Sequence, residues 1–117
     1  MANLMPTNSL LSALTHLAET IDDRANGKSG DDPSYTEKLL SAGPHKCAKK
    51  LGEEAVETVL AIASESDEEV AAETADLLYH LFVALRSRGV ALDLVGEALA
   101  KRQGVSGIVE KNSRKNN

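Results

Sequence analysis

Five carboxylates stand where folding alone gives them no purpose. Glu53, Glu54 and Glu57 lie close together, and Glu73 and Asp76 follow three residues apart. On a helix, spacings of three and four residues put side chains on one face, so Glu57 meets both Glu53 and Glu54, and Asp76 meets Glu73. Like charges so placed cost a helix roughly 0.2–0.5 kcal/mol per pair in water, and more where water is excluded. These acids are interleaved with the most apolar stretches of the chain, 51–63 and 70–85, and no base intervenes. Taken singly, each acid reads as part of a solvated face. Taken together, they read as a metal site. Carboxylate oxygens are hard donors suited to Mg²⁺, Mn²⁺ or Ca²⁺, and two antiparallel helices can aim two pairs at one point. A di-iron centre usually needs Glu-x-x-His. Here the residues three after Glu54, Glu57 and Glu73 are Glu57, Leu60 and Asp76, and the nearby imidazole, His80, lies four after Asp76. An all-oxygen set favours Mg²⁺ over iron.

Lysines form a second conflict. Lys46, Lys49 and Lys50 fall in the first two turns of the same helix, where the helix dipole disfavours cations. Lys46, Lys50 and Glu54 follow at four-residue intervals, so one stripe runs from positive charge to the acids. A solvated basic turn is the simpler reading of any one lysine. A phosphate chain bridging ammonium groups and a carboxylate-held cation satisfies both ends.

These residues need helices to position them, and the chain reads as helices throughout. Leu10, Leu11, Leu14, Leu17, Ala18 and Ile21 recur at three- and four-residue spacings until Asn26-Gly27. A turn-rich stretch spans 27–33. Ser34 with Glu37 has capping-box spacing and opens a short helix that Gly43-Pro44 stops. A third helix runs from about Pro44 to Ala63. Ser66 with Glu69 opens a fourth, ending near Gly89, whose first turn carries Asp67, Glu68 and Glu69 as complements to the dipole. A fifth covers about Leu92 to Gln103. The expected fold is an all-α bundle of about five helices. Residues 1–104 form its one domain and 105–117 a basic tail. The third and fourth helices are apolar over most of their circumference, so a second copy is expected to cover the surplus face as a homodimer.

Composition narrows the function classes. The chain has 117 residues, a formal net charge of -5 and 3% aromatic residues, with Phe82, Tyr35 and Tyr79 and no Trp. That balance argues against nucleic acid as a partner, because such binding rests on neutralising phosphates and stacking bases. No apolar stretch approaches the ~20 residues that span a bilayer, so no membrane is expected. The single cysteine, Cys47, reads as a packing thiol and gives no sign of an oxidising compartment, which leaves a soluble cytoplasmic protein as the expectation.

The run from Gly43 to Glu57, with its lysine triplet and Glu-Glu-x-x-Glu, is followed by Glu73-Thr-Ala-Asp76-Leu-Leu-Tyr79-His80. Together they resemble phosphoribosyl-ATP pyrophosphatases of histidine biosynthesis, a branch of the all-α NTP pyrophosphatases that include MazG-like proteins and dimeric dUTPases. Ser34-Tyr35-Thr36 fits the same branch. The resemblance covers about Leu10 to Arg102 and extends into residues 104–108. It implies hydrolysis of phosphoribosyl-ATP to phosphoribosyl-AMP and pyrophosphate with Mg²⁺. By position it makes Glu54, Glu57, Glu73 and Asp76 metal ligands, and Glu53 a further ligand or the group that orients the attacking water. Lys46, Lys49 and Lys50 become candidates for steadying the polyphosphate. His80 becomes a candidate substrate contact, with a packed, hydrogen-bonded role as the alternative, and Ser106-Gly107 a candidate for closing over phosphate. Two rival functions stand beside this one: a pyrophosphatase of other nucleoside triphosphates, and a non-catalytic helical dimerisation module.

Overall fold

The computed structural model describes residues 4–6, 8–28 and 34–103, and the tail from 105 with Ser106 and Gly107 lies outside them. Five helices follow in order: α1 (Asn8–Ala25), α2 (Tyr35–Ala42), α3 (Pro44–Ser64), α4 (Asp67–Arg88) and α5 (Leu92–Lys101). The described residues contain no strand, and the fold is all-α.

Local chemistry sets the boundaries. Ser34 Oγ accepts from the Glu37 amide at 3.1 Å, and Ser66 Oγ accepts from the Glu69 amide at 3.2 Å. Each serine thereby satisfies one amide that the first turn leaves without a helical partner. Gly43, at φ 93°, ends α2 and hands the chain to Pro44 at the start of α3. Gly89 ends α4 in the left-handed region at φ 77°, where a side chain would be strained. α5 stops at Lys101, before Gln103, because the Arg102 and Gln103 amides bond three residues back, to Leu99 and Ala100, and tighten the last turn.

Packing centres on the α3–α4 hairpin, whose helices make the most extensive contact of the fold. Their connection, Glu65–Ser66, is too short for anything but antiparallel neighbours. The core takes one residue from each of four helices: Ile21, Leu39, Cys47 and Val83, with Leu17, Leu40, Tyr79, Phe82 and Ala84 packed against them. Burying an aliphatic side chain of this size is worth roughly 1.5–3 kcal/mol. Cys47 is a packing thiol: it is buried and donates to the Leu39 carbonyl at 3.1 Å, tying α3 to α2. Outside, Arg86 joins Asp22 at 2.8 Å and holds α4 to α1. Val56, Val59, Leu60 and Ile62 of α3 are all exposed, as are Leu92, Leu94, Val95 and Leu99 of α5.

Candidate active site

The hairpin places the acids. Glu54 and Glu57 project from the middle of α3 and Glu73 from the second turn of α4. Each offers an oxygen within 4.8 Å of the oxygens of the other two. Glu54 and Glu73 are half-buried, and one oxygen of each, Oε2, is shielded from solvent with no hydrogen-bond partner. A buried carboxylate oxygen without a donor is costly. Two such oxygens beside a third, exposed carboxylate, Glu57, are costlier still.

The electrostatics follow from that convergence. Burial is the largest cause that pushes the Glu54 carboxyl above its ordinary value of 4.5, followed by the Glu57 charge, with His80 opposing. Burial also raises Glu73, and Glu57, within hydrogen-bonding reach, adds to it. Asp76 contributes to the repulsion at both. It stands exposed one turn beyond Glu73 and is not one of the close triplet. The triplet therefore resists holding its full negative charge.

Glu53 goes elsewhere. Its carboxylate turns back to Lys50 Nζ at 3.2 Å. That hydrogen bond and charge hold the Glu53 carboxyl below 4.5, with Lys49 and Lys46 adding to the effect. The same bond raises the Lys50 ammonium, and Tyr35 and Glu54 add to it. Lys46 and Lys49 are exposed on the first turns of α3, and Lys50 is partly covered between them and the triplet. The basic stripe and the acid cradle therefore adjoin along α3, with Glu53 at the border.

His80 is buried, and both ring nitrogens are engaged. Nδ1 lies 2.9 Å from the Asp76 carbonyl oxygen, which only accepts, so Nδ1 carries the proton. Nε2 lies 3.4 Å from the Tyr35 hydroxyl. The Tyr35 ring stacks on Tyr79 at 6.3 Å, the Tyr79 and Thr36 hydroxyls bond to each other, and Tyr79 meets His80 edge-on at 5.0 Å. This cluster joins the start of α2 to α4 beside the acids. Tyr35 is 50% exposed and is the member of the cluster that presents a ring to solvent. An apolar cleft of about 460 Å³ lies elsewhere, between α1, the end of α4 and the start of α5, and includes none of the candidate residues.

Two residues at the site stand outside the acid and lysine motifs. Thr58 is buried, and its hydroxyl faces the Glu54 carbonyl at 2.8 Å and the Glu73 carbonyl at 3.1 Å. Its hint in the sequence is a lone hydroxyl four residues after Glu54, inside an apolar run. Tyr35 is signalled by its place after a capping serine and by the Ser34-Tyr35-Thr36 run, neither of which gives it a role.

The class of protein so far defined is an all-α hairpin bundle in which a carboxylate triplet adjoins a lysine stripe. The comparisons with known proteins narrow it. Residues 14–103 match the family model of phosphoribosyl-ATP pyrophosphohydrolase. The chain is 53% identical to phosphoribosyl-ATP pyrophosphatase 1 of Rhodopseudomonas palustris, over 87% of this chain and 94% of that one. It is 54% identical to phosphoribosyl-ATP pyrophosphatase 1 of Bradyrhizobium diazoefficiens, over 85% and 92%. It is 51% identical to phosphoribosyl-ATP pyrophosphatase of Caulobacter vibrioides, over 90% and 95%. The chain belongs to the phosphoribosyl-ATP pyrophosphohydrolase family.

Proposed function

We propose that this protein hydrolyses phosphoribosyl-ATP to phosphoribosyl-AMP and pyrophosphate, the second step of histidine biosynthesis, as a Mg²⁺-dependent cytoplasmic homodimer. The observation that carries the reading is the convergence of Glu54, Glu57 and Glu73, two of them with a buried oxygen that lacks a donor. These donors fit a hard divalent cation, and family membership supplies the substrate. Glu54, Glu57 and Glu73 would hold the cation, with Asp76, one turn beyond Glu73, as a further ligand.

The cation, when bound, supplies charge neutralisation at the phosphates and makes water a stronger acid at neutral pH. Lys46, Lys49 and Lys50 receive the polyphosphate along α3, offsetting charge that the acids would otherwise repel. Lys50 reaches it by leaving Glu53. Glu53, outside the triplet and released when Lys50 turns to the phosphates, orients the attacking water and takes its proton. Water adds across the phosphoanhydride bond, so that one product gains the hydroxyl, the other gains the proton, and pyrophosphate leaves. His80 serves the substrate through Tyr35, whose exposed ring is the contact surface.

The homodimer rests on the apolar residues left uncovered. Val56, Val59 and Leu60 share one face of α3, and each is more than half exposed. An apolar patch of this kind on a domain with a small core marks an interaction surface. The products test the proposal: with Mg²⁺, each turnover should yield one phosphoribosyl-AMP and one pyrophosphate, resolved by phosphorus NMR. Orthophosphate as the released product would contradict it.

A further inference from the structure

Four other hydroxyl side chains in these helices return their proton to their own helix. Thr15 bonds to the Leu11 carbonyl, Ser64 to Leu60 and Thr74 to Val70, each four residues back, and Ser87 bonds to Ala84, three back. Thr58 alone among the described residues adds a carbonyl of a neighbouring helix to that pattern, sharing its proton between Glu54 of α3 and Glu73 of α4, 15 positions away. It is 6% exposed, so water does not compete for the bond. The two carbonyls belong to the two residues that each bury an unpartnered carboxylate oxygen, and the third acid, Glu57, immediately precedes Thr58 in the chain. One hydroxyl thus bridges the backbones of two members of the triplet, and its residue adjoins the third.

We infer that Thr58 is a positioning residue that sets the aperture of the cation cradle and with it the preference for a small ion. The inference rests on the reading that the triplet holds a divalent cation. The two carbonyls each keep a helical amide partner without Thr58, so loss of the hydroxyl strands no buried backbone group and the hairpin remains. What is lost is the fixed separation of α3 and α4 at the height of the ligands. Mg²⁺ demands near-ideal short-range geometry, whereas Ca²⁺ accepts longer and more variable distances, so a loosened cradle penalises Mg²⁺ first.

The test uses the full chain without substrate, with Mg²⁺ and Ca²⁺ affinities measured by calorimetry for wild type, Thr58→Val and Thr58→Ser. Thr58→Val keeps the shape and removes the hydroxyl. It is expected to weaken Mg²⁺ binding roughly tenfold, the lower end of what outer-shell partners of metal sites contribute, and to weaken Ca²⁺ less. Thr58→Ser should bind both ions as wild type does. Equal loss for both ions, or no loss in Thr58→Val, overturns the inference, as does a Thr58→Ser variant no better than Thr58→Val. If Thr58→Val does not fold, Thr58→Ala against Thr58→Ser carries the same comparison, with the same outcomes deciding it. Absence of binding by the wild type would instead overturn the cation reading itself.

Discussion

Glu54 and Glu73 come from opposite sides of a two-residue turn, and Glu57 stands within hydrogen-bonding reach of both, so that two half-buried carboxylates share one like-charged neighbour. The arrangement destabilises the protein that carries it, and on the proposed reading a bound cation offsets that cost. Its consequences for stability and turnover can be separated by experiment.

Mg²⁺ should raise the melting temperature, because it binds the folded cradle and not the unfolded chain. At a hundredfold excess over its dissociation constant the gain is roughly 2.7 kcal/mol, which for a domain near this size is a rise of roughly 10 °C. Differential scanning fluorimetry with Mg²⁺ against EDTA reads it directly. An unchanged melting temperature would contradict a native cation site.

The apo protein should lose stability as pH rises. Glu54 and Glu73 have folded values raised above 4.5, so in that range the folded state binds more protons than the unfolded one. Stability then falls as pH increases from about the ordinary value through the raised ones. Glu53 acts in the opposite sense: its lowered value gives stability that is present above 4.5 and lost as pH falls. Denaturant melts in EDTA between pH 4 and 8 should therefore show a downward slope that a Glu54→Gln, Glu73→Gln double variant flattens.

Removing ligand charge without changing volume should stop turnover. Glu54→Gln and Asp76→Asn are each expected to lower kcat by roughly two orders of magnitude or more, the scale on which one preorganised group acts at a reacting centre. Circular dichroism should stay helical, since neither side chain belongs to the core. Near-wild-type activity in either variant would remove that residue from the ligand set.

Glu53 and Lys50 part company in kinetics. Glu53→Gln should lower kcat while leaving Mg²⁺ affinity close to wild type, as befits a group outside the triplet. Lys50→Ala should raise KM for the substrate with little change in melting temperature, because the ion pair it breaks is exposed. Unaltered KM and kcat in Lys50→Ala would retire that lysine.

Self-association has its own check. Sedimentation at micromolar concentration should give twice the 12.4 kDa chain mass, and Val59→Glu should return it to one. A wild-type monomer would contradict the dimer.

What could be read from the sequence was what is local. Ser34 with Glu37 and Ser66 with Glu69 have capping-box spacing within one turn, and in each the serine half forms, while Glu37 Oε1 is buried without a partner. The acids on α3 and α4 also follow from spacing, since a short connection forces the helices side by side. Spacing does not set how far each helix rotates about its axis. That rotation turns Glu53 to Lys50 instead of the triplet, sinks Thr58 between the helices and buries His80 behind Tyr35. The apolar circumference of α3 has one reading as core and another as interface, and a single chain leaves Val56, Val59 and Leu60 uncovered.

The most direct measurement is pyrophosphate release from phosphoribosyl-ATP with Mg²⁺, run beside ATP and a panel of deoxynucleoside triphosphates, each with an EDTA control. Release from phosphoribosyl-ATP alone, abolished by EDTA, is the expected result. Turnover of the deoxynucleotides in its place, or release that EDTA leaves untouched, would contradict it.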